Sequence, residues 1–448
     1  MDLLKIYRHS NLLHLEEHIS NYRLGGFHPV RLGDTFQDGR YEIRHKLGWG
    51  GFSTVWLAKD KRNMQWVSIK ILSADDSKVS RELDTLQLLQ ARSEESPRRP
   101  IVQFIDNFLH QGPNGTHQCL VFELLGPTLE FVLNDIYCGD YPATEAILEP
   151  YIILKFCEQL LQNIAFIHEV GYVHGDISIS NFAFTSNNLL HMSEEDLFDV
   201  LGSPESEELV RLDGEPLSSS LPSQLVETAR WSGWADEDEE DLRIIDLGLA
   251  FPEGEMDKEF AQSSTLRVPE TIFNTSFDAR LDLWRCSKRI YTLVLKQPPF
   301  SPWFARTDEL IEQMIDLAGE LPTEWQPEWA EIRQRFATER QGKTRVRKYV
   351  PPPLAAMFDE KVQDEILKPL LPVIQGLMKF RPSDRITIPQ ALELVRSKME
   401  QAEMFEESDD EEMDETEMFE EAEDETEMFE GAEDETEMFE QAEDEIDD

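Results

Sequence analysis

The sequence predicts a domain of the α+β class, in which a strand-rich first part precedes a helix-rich second part. Three observations lead to this prediction. Apolar and polar residues alternate around Tyr41, Ile43 and Leu47, as they do in strands. A helical stripe of apolar residues runs through 151–170, and beyond Leu281 the apolar pattern is helical wherever it is periodic.

The strand-rich part continues on both sides of a glycine-rich segment. The residues TVWLA follow that segment and, with the alternating residues before it, suggest a hairpin. In WVSIKIL, Val67, Ile69 and Ile71 share one face of a strand and Lys70 projects from the other. Residues 80–90 have leucines at helical spacing after an Asp-Ser cluster suited to capping. A sheet followed by a helix is therefore expected to open the domain.

The net charge of the chain indicates which classes of partner it can bind. The 448 residues include 42 Lys and Arg against 90 Asp and Glu, a formal net charge of −48. A field of that sign disfavours unassisted binding to nucleic-acid phosphates or to an anionic membrane surface, and it favours basic partners. The chain opens without a signal-peptide layout, and no stretch approaches about 18 uninterrupted apolar residues. Its four cysteines lie far apart without metal-type spacing, so a cytoplasmic or nuclear protein is expected.

Two segments carry most of the negative charge. Residues 401–448 contain 27 acidic residues and no Lys or Arg, and ETEMFE recurs in them at a spacing of 10 residues. Like-charge repulsion and one Met-Phe pair per repeat cannot offset an ordering cost of about 1 to 2 kcal/mol per residue, so this tail is predicted to be disordered. Residues 185–242 carry −14 and suggest a mostly loop-like insertion, which leaves −7 for the rest of the chain.

A glycine-rich segment between two predicted strands consists of Leu47, Gly48, Trp49, Gly50, Gly51, Phe52, Ser53, Thr54 and Val55. Small residues there let backbone N–H groups approach phosphate oxygens. A plain glycine-rich hairpin turn explains the segment equally well by itself. Lys70 follows as a lone cation on an apolar strand, which is costly unless an anion pairs with it. Glu82 on the next helix is a candidate partner, the alternative being a solvated helix-face charge.

The most specific segment follows the 151–170 helix and carries Asp176 and Asn181 on a loop. An Asp and an Asn at this spacing can orient a hydroxyl as a base and bind a metal for phosphoryl transfer. Further on, Asp246 ends an apolar strand, and Mg²⁺ prefers such hard oxygen donors together with water and nucleotide phosphates. Three more motifs follow in order, which are Arg267-Val268-Pro269-Glu270, Asp282-Leu283-Trp284 and Arg381-Pro382-Ser383-Asp384-Arg385.

In this order and context the segments resemble the signatures of eukaryotic protein kinases over residues 41–398. The entrance YRLGGFHPVRLGDTFQDGRYEIRHKLGWGGFSTVWLAKD, with LVFELLGPTL and TDELIEQMIDLAGELPTEW, is most similar to the SR-protein kinases and among them to the fungal branch. The resemblance implies a bilobal kinase fold with a small antiparallel β-rich lobe carrying one main helix and a larger, mainly helical lobe. The implied divisions are an extension packing on the small lobe (1–40), the small lobe (41–126), the large lobe with the insert 185–242 (127–398) and the tail (399–448).

The resemblance also implies an ATP site. The residues expected to form it are Leu47, Gly48, Trp49, Gly50, Gly51, Phe52, Ser53, Val55, Lys70, Glu82, Phe122, Glu123 and Leu125. Within this set the glycine-rich loop would cover ATP, and Lys70, held by Glu82, would pair with the α and β phosphates. Phe122 would be the gatekeeper, and the backbones of Glu123 and Leu125 would hydrogen-bond the adenine edge.

The catalytic residues that the resemblance implies are Lys70, Asp176, Asn181 and Asp246. Asp176 would accept the hydroxyl proton of a substrate serine, while Asn181 and Asp246 would hold Mg²⁺ against the β and γ phosphates. The pair formed by Glu270 and Arg385 is expected to be structural.

Three positions depart from the general kinase pattern. Ser53 replaces the third glycine of the loop, as in the SR-protein kinases. Gly175 replaces the arginine that usually binds a phosphate on the activation segment, which predicts activity without phosphorylation of that segment. Ser178 replaces a lysine that reaches the γ phosphate. Losing one charge-assisted contact costs about 1.5 to 3 kcal/mol, so catalysis is expected to be slower rather than absent.

The resulting hypothesis is a monomeric, ATP- and Mg²⁺-dependent serine/threonine kinase acting on basic, Arg/Ser-rich proteins, with no direct nucleic-acid or membrane partner. An acidic run at residues 308–320 falls beside a docking groove of the resembled family, and a solvated helix face explains it equally well. The acidic tail either concentrates basic substrates or solubilises the chain. The alternative function is a weak or inactive pseudokinase that serves as a nucleotide-binding scaffold for basic partners.

Overall fold

A computed structural model describes residues 6–93, 99–133, 149–186, 188–234, 241–255, 267–273, 278–300, 306–339, 352–397 and 399. The α+β class expected from the sequence is confirmed, with an antiparallel sheet early in the chain and helices after it. The acidic repeat tail at 401–448 and residues 256–266 lie outside the described residues. Residues 256–266 are the middle of the segment 246–270, which the resemblance to kinases implies is the activation segment. Within the part of the chain that is described, no helix is both long and apolar enough to cross a bilayer.

The small lobe is built on a six-stranded antiparallel sheet in the order β1-β2-β3-β4-β6-β5. Its strands are β1 (Thr35–Phe36), β2 (Tyr41–Trp49), β3 (Ser53–Asp60), β4 (Gln65–Leu72), β5 (Phe104–Gly112) and β6 (Gly115–Glu123). On β4, Val67, Ile69 and Ile71 are at most 1% exposed, as the period of two predicts. Lys70 points to the opposite face of the same strand and therefore toward the large lobe.

Among the described residues, one helix lies in the extension and one in the small lobe itself. A short helix, α1 (Leu12–Leu15), lies in the N-terminal extension. The helix predicted at 80–90 is α2 (Glu82–Ser93), which buries Leu86 and Leu89. Glu82 stands at its first turn and is 2% exposed, so it is not a solvated helix-face charge.

The large lobe is mainly helical. Its helices are α3 (Leu129–Phe131), α4 (Pro150–Glu169), α6 (Pro269–Phe273), α7 (Arg280–Leu295), α8 (Thr307–Ala318), α9 (Gln326–Glu339), α10 (Leu354–Lys361), α11 (Leu370–Leu377) and α12 (388–397). The stripe predicted on α4 faces the core, and Ile153, Phe156, Leu160, Ile164 and Ile167 are at most 4% exposed. Helix α7 is buried almost all round, which makes it the central support of the lobe.

Two short strand pairs shape the segment between α4 and α6. Strand β7 (Tyr172–Val173) pairs with β12 (Phe251–Pro252), and β8 (Phe182–Phe184) pairs with β11 (Leu242–Ile244). Both pairs are antiparallel, and they enclose the loop between β7 and β8. This loop, residues 174–181, is held at both ends by regular structure.

The extension and the insert pack together on the small lobe. The insert contains α5 (Glu194–Leu201) and a hairpin of β9 (Ser206–Glu208) and β10 (Gln224–Val226). Leu209 and Leu225 of the insert share an apolar cluster with Tyr7 and Phe27 of the extension. The sequence suggests a mostly loop-like insert of the large lobe. Much of it does lack regular structure, but many of its apolar residues are buried against the extension and the small lobe, because these surfaces offer them a hydrophobic contact.

A buried ion pair closes the end of the activation segment. Arg385 donates from both terminal nitrogens to the Glu270 carboxylate at 2.6 and 2.7 Å, and both side chains are 0% exposed. Arg385 also donates to the carbonyl oxygens of Arg280 at 2.7 Å and Lys379 at 2.9 Å. These contacts join α6, α7 and the segment before α12.

We expect Arg385→Met to lower the free energy of unfolding by about 3 to 5 kcal/mol, because the substitution leaves the buried Glu270 carboxylate without its counter-ion. Arg381 provides a matched control, since it forms a similar two-bond pair with Glu324 at 2.7 and 2.8 Å but is 44% exposed. Arg381→Met should cost much less, because water already screens this exposed ion pair. Urea denaturation of both variants measures the difference, and equal losses would contradict the structural role of the buried pair.

Candidate functional site

Strand pairing brings two predicted metal-binding residues together. In the β8–β11 pair, Phe182 lies opposite Ile244. The residue before β8 and the residues after β11 therefore leave the pair at the same end, and the backbone N–H of Ile245 donates to the Asn181 carbonyl at 3.0 Å. Asn181 and Asp246 consequently face the same space, although 65 positions separate them in the chain.

Helix α7 holds the loop that carries Asp176. The Asp282 carboxylate, which is fully buried, accepts from the backbone N–H groups of His174 at 2.8 Å and Gly175 at 3.1 Å. Gly175 has a φ of 76°, a left-handed conformation that suits glycine, so this departure from the kinase pattern also matches the backbone. The Asn181 amide donates to the Asp176 carbonyl at 3.0 Å and to its carboxylate at 3.2 Å.

A second contact from α7 lies directly beside the candidate base. The Arg289 guanidinium donates from Nε to the carbonyl oxygen of Ile177 at 3.1 Å. The loop is thus bonded to α7 on both sides of Asp176. The sequence does not indicate this role of Arg289, because a basic residue inside a helix gives no local signal of such a contact.

Lys70 forms an ion pair with each of two carboxylates. Its Nζ lies 2.6 Å from Glu82 Oε1 and 3.0 Å from Asp246 Oδ1. Burial by itself lowers the pKa of Lys70, but the negative charges of Asp246 and Glu82 outweigh it and raise that pKa above its ordinary value. Burial raises the pKa of Asp246, but Lys70 outweighs it, so the pKa of that carboxyl is lowered. The cation and the carboxylate thus each stabilise the charged form of the other.

One cavity of about 700 Å³ contains nearly all the predicted site residues, a size within the usual range for small-molecule sites. The predicted residues that line it are Leu47, Gly48, Trp49, Gly50, Gly51, Phe52, Ser53, Val55, Lys70, Phe122, Glu123, Leu125, Asp176, Asn181 and Asp246. Glu82 does not line the cavity and instead stands behind Lys70. The structure therefore brings the predicted set into a single location.

The glycine-rich segment forms the roof of this cavity. Gly48, Gly50 and Gly51 lie outside the left-handed region of φ, and a Cβ added to any of them would meet open space. Neither the turn nor protein packing therefore requires glycine here. This geometry favours the interpretation of the segment as a phosphate-binding loop over that of a plain hairpin turn, because small residues leave room for a ligand beneath the loop.

The segment that joins the lobes lines the cavity with Glu123, Leu124 and Leu125. The Glu123 carboxylate is paired with Arg243 and also accepts from the backbone N–H of Gln103 at 2.6 Å. Phe122 is 4% exposed and packs edge-on against Phe104 at a centroid distance of 6.1 Å. The Glu123 backbone N–H donates to the Gln103 carbonyl at 3.1 Å, and its carbonyl oxygen accepts from the Ser68 hydroxyl at 3.1 Å. Since a carbonyl oxygen has two lone pairs, this oxygen is the polar group of Glu123 that could accept a further hydrogen bond from a ligand.

The donor set fits a divalent metal ion. The Asp246 carboxylate is 41% exposed and lies beside Asn181, whose amide nitrogen is committed to Asp176 and whose amide oxygen is a suitable ligand. One carboxylate and one amide oxygen suit Mg²⁺, which keeps water and phosphate oxygens as its remaining ligands.

The insert supplies lining residues that no sequence pattern indicates. Thr228, Ala229 and Trp231 face the same cavity as the glycine-rich loop. No motif marks them, and they precede Asp246 in an acidic, Ser- and Pro-rich stretch that suggests a surface loop. Their position at the cavity becomes evident only from their packing against β2 and the segment after β6.

We expect Glu82→Gln to lower kcat/KM for ATP about ten- to a hundredfold, because a neutral amide holds Lys70 less strongly and leaves the lysine drawn to Asp246. Asp84→Asn is the matched control, since Asp84 lies on the same helix but is exposed. Initial-rate measurements at varied ATP compare the two variants. Wild-type kcat/KM in Glu82→Gln would contradict the role of this ion pair.

Comparison with known proteins agrees with the geometry. The protein kinase domain model matches residues 41–198. The chain is 28% identical over 411 residues to the serine/threonine-protein kinase SRPK of Physarum polycephalum, covering 84% of this chain and 90% of that protein. It is 34% identical over 171 residues to the protein kinase dsk1 of Schizosaccharomyces pombe, covering 37% of this chain and 30% of that protein. It is 34% identical over 173 residues to SRSF protein kinase 3 of Homo sapiens, covering 37% of this chain and 29% of that protein.

The aligned region thus spans most of the first of these relatives and less than a third of the other two. A protein kinase domain implies the use of ATP and a divalent metal ion. The relative from Physarum polycephalum is named a serine/threonine-protein kinase, and the other two are named protein kinases. The chain therefore carries a protein kinase domain and is similar to serine/threonine kinases of the SRPK type.

Proposed function

We propose that the chain transfers the γ-phosphoryl group of ATP to serine in basic, Arg/Ser-rich proteins, with Mg²⁺ as the metal ion. The observation that carries this proposal is the meeting of Lys70, Asp176, Asn181 and Asp246 in one cavity beneath a glycine-rich loop. These are the groups that phosphoryl transfer needs, since the reaction depends on positioning and on neutralising phosphate charge.

Asp176 acts in this proposal as the base that accepts the proton of the substrate hydroxyl. The Asn181 amide orients its carboxylate, and α7 holds the backbone on either side of it. Burial raises the pKa of Asp176 above its ordinary value. A raised pKa makes a carboxylate a better proton acceptor near neutral pH, which supports the assignment.

The remaining residues neutralise the phosphates. Lys70 is held charged by its carboxylate partners and would pair with the α and β phosphates. A Mg²⁺ ion held by Asn181 and Asp246 would neutralise the β and γ phosphates. Ser178 offers no cation, and its hydroxyl accepts from the Ser180 hydroxyl at 2.8 Å. We therefore expect a slower enzyme than one with a lysine at that position.

The preference for basic substrates rests on charge. The formal net charge of −48 attracts basic peptides over a long range at low salt. The acidic run on α8 attracts basic substrates less than its sequence suggests, because Asp308 is 3% exposed and its carboxylate lies 3.5 Å from the Arg306 guanidinium. Glu309, Glu312 and Asp316 are half-buried and engaged in contacts, so neither a simple solvated face nor a fully exposed docking surface describes this helix.

We expect the wild-type chain with ATP and Mg²⁺ to phosphorylate an Arg-Ser repeat peptide. Asp176→Asn should lower kcat about a hundredfold or more, because it removes the base while keeping the side-chain size. Asp213→Asn, an exposed change in the insert, is the control and should retain wild-type rates. Transfer of radiolabelled phosphate measures all three proteins.

The same assay separates the proposed activity from its alternative. No transfer by the wild-type chain would support a nucleotide-binding scaffold. Equal rates on an Arg-Ser peptide and on a peptide with alanine in place of each arginine would leave kinase activity standing and would refute the preference for basic substrates.

We further expect activity to be independent of phosphorylation of the activation segment, because Gly175 offers no guanidinium to bind a phosphate there. Phosphatase treatment of the purified chain, checked by mass spectrometry of residues 246–270, should leave kcat within about twofold. Loss of activity on treatment, with recovery after rephosphorylation, would contradict this expectation.

A further inference from the structure

Part of the insert lies against the cavity assigned to the nucleotide. Thr228, Ala229 and Trp231 line this cavity together with Leu47 from the glycine-rich loop and Leu125 from the segment after β6. The Trp231 side chain is large, apolar and 7% exposed. It therefore forms a wall of the cavity and is not a freely moving surface group.

This wall is bonded to β2 on one side. The Ala229 backbone N–H donates to the Lys46 carbonyl at 2.9 Å, and Thr228 and Lys46 form a parallel bridge. Glu16 of the extension accepts from the Thr228 backbone N–H at 2.8 Å and from its hydroxyl at 2.9 Å. Lys46, which is 1% exposed, donates to Glu16 at 2.8 Å and also to Glu17. A buried charge cluster of this kind holds its members together, because separating them leaves a charge unpaired.

On the other side the wall reaches the segment that joins the lobes. The Trp231 and Trp234 rings meet edge to face at a centroid distance of 5.8 Å. Trp234 packs so closely on Gly126 that a Cβ at that glycine would lie 2.4 Å from the indole ring. Both edges of the wall are thus attached to elements that border the nucleotide cavity.

The backbone of Trp231 is unusual. Its φ is 50°, a left-handed conformation that costs energy for a bulky side chain and favours Gly or Asn. Two hydrogen bonds hold this conformation, since the backbone N–H groups of Arg230 and Trp231 both donate to the Leu201 carbonyl, at 3.0 and 3.1 Å. Residues held in such conformations tend to occur at ligand sites, where the surrounding structure compensates for the strain.

We propose that Trp231 is a nucleotide-contacting residue that sets the affinity of this kinase for ATP and ADP, and that Glu16, Lys46 and Thr228 position it. The proposal rests on the proposed function only in taking the cavity as the ATP site. A base or ribose bound between Leu47 and Leu125 would lie against the indole wall. Contact between an aromatic side chain and a base contributes enough to be measured by substitution.

Trp231→Asn tests the proposal, because asparagine removes the ring and suits the left-handed backbone. We expect the dissociation constant of ADP with Mg²⁺, measured by isothermal titration, to rise about tenfold. KM for ATP should rise similarly. The value of kcat should stay within about twofold, since Trp231 does not contact Asp176, the residue proposed to accept the substrate proton. Leu212→Asn, an exposed change elsewhere in the insert, is the matched control and should leave both constants unchanged.

A second variant tests the proposal even if the first variant does not fold. Trp231→Phe keeps an aromatic ring and should raise the ADP dissociation constant by less than about threefold, while reducing the change in tryptophan emission when ADP binds. A Trp231→Asn protein with the wild-type melting temperature and ADP affinity would overturn the proposal. If the asparagine variant does not fold, an emission change in Trp231→Phe equal to that of the wild type would do so.

Binding of ADP is measured without phosphoryl transfer, so the two proposals can fail separately. A wild-type chain that binds ADP but transfers no phosphate would refute the proposed function and leave the role of Trp231 to the binding data. An active wild type whose Trp231→Asn variant binds ADP normally would refute only the inference about the wall. A wild type that binds no ADP would overturn both.

Discussion

The site depends on the need to pair one buried cation. Lys70 projects from the inner face of β4, where its charge is withdrawn from water, and an unpaired ammonium there would be strongly unfavourable. The two carboxylates that satisfy it come from different elements, Glu82 from the start of α2 and Asp246 from the end of β11. Pairing with both carboxylates therefore fixes the helix of the small lobe and the start of the activation segment relative to the sheet. The position of Asn181, and through it Asp176, follows from the β8–β11 pair.

The large lobe supports this arrangement with buried polar contacts as well as with apolar packing. The loop 174–181 has little regular structure of its own, so its backbone groups need partners from elsewhere. Helix α7 provides them through Asp282 and Arg289, and the Arg385–Glu270 pair joins α7 to the end of the activation segment. A rigid, buried helix thus carries a loop whose shape matters for catalysis. This division is effective because helices hold side chains in more constant positions than loops do.

The extension and the insert add a layer that the rest of the kinase fold does not explain. Glu16, Lys46 and the half-buried Thr228 form one cluster, although 30 positions separate the first two and 182 separate the last two. Each residue is ordinary in its local context, and nothing in its neighbourhood indicates a partner. Periodicity predicted β4 and α4 because burial on one face imposes a repeat of 2 or 3.6 on the sequence. A contact between three irregular or distant segments imposes no such repeat, so periodicity cannot predict it.

The sequence by itself determined the α+β class, the buried faces of the main strands and helices, and the chemical groups of the site, because these depend on short-range patterns and on a set of motifs in a fixed order. Tertiary structure decided which groups meet. It turned Asp308 inward toward Arg306, engaged the Glu123 side chain with Arg243, and carried Trp231 of the insert to the wall of the cavity beneath the glycine-rich loop. The physical reason is that a residue's spacing along the chain specifies the face it occupies, whereas its partner depends on how distant segments bury their apolar and charged groups together.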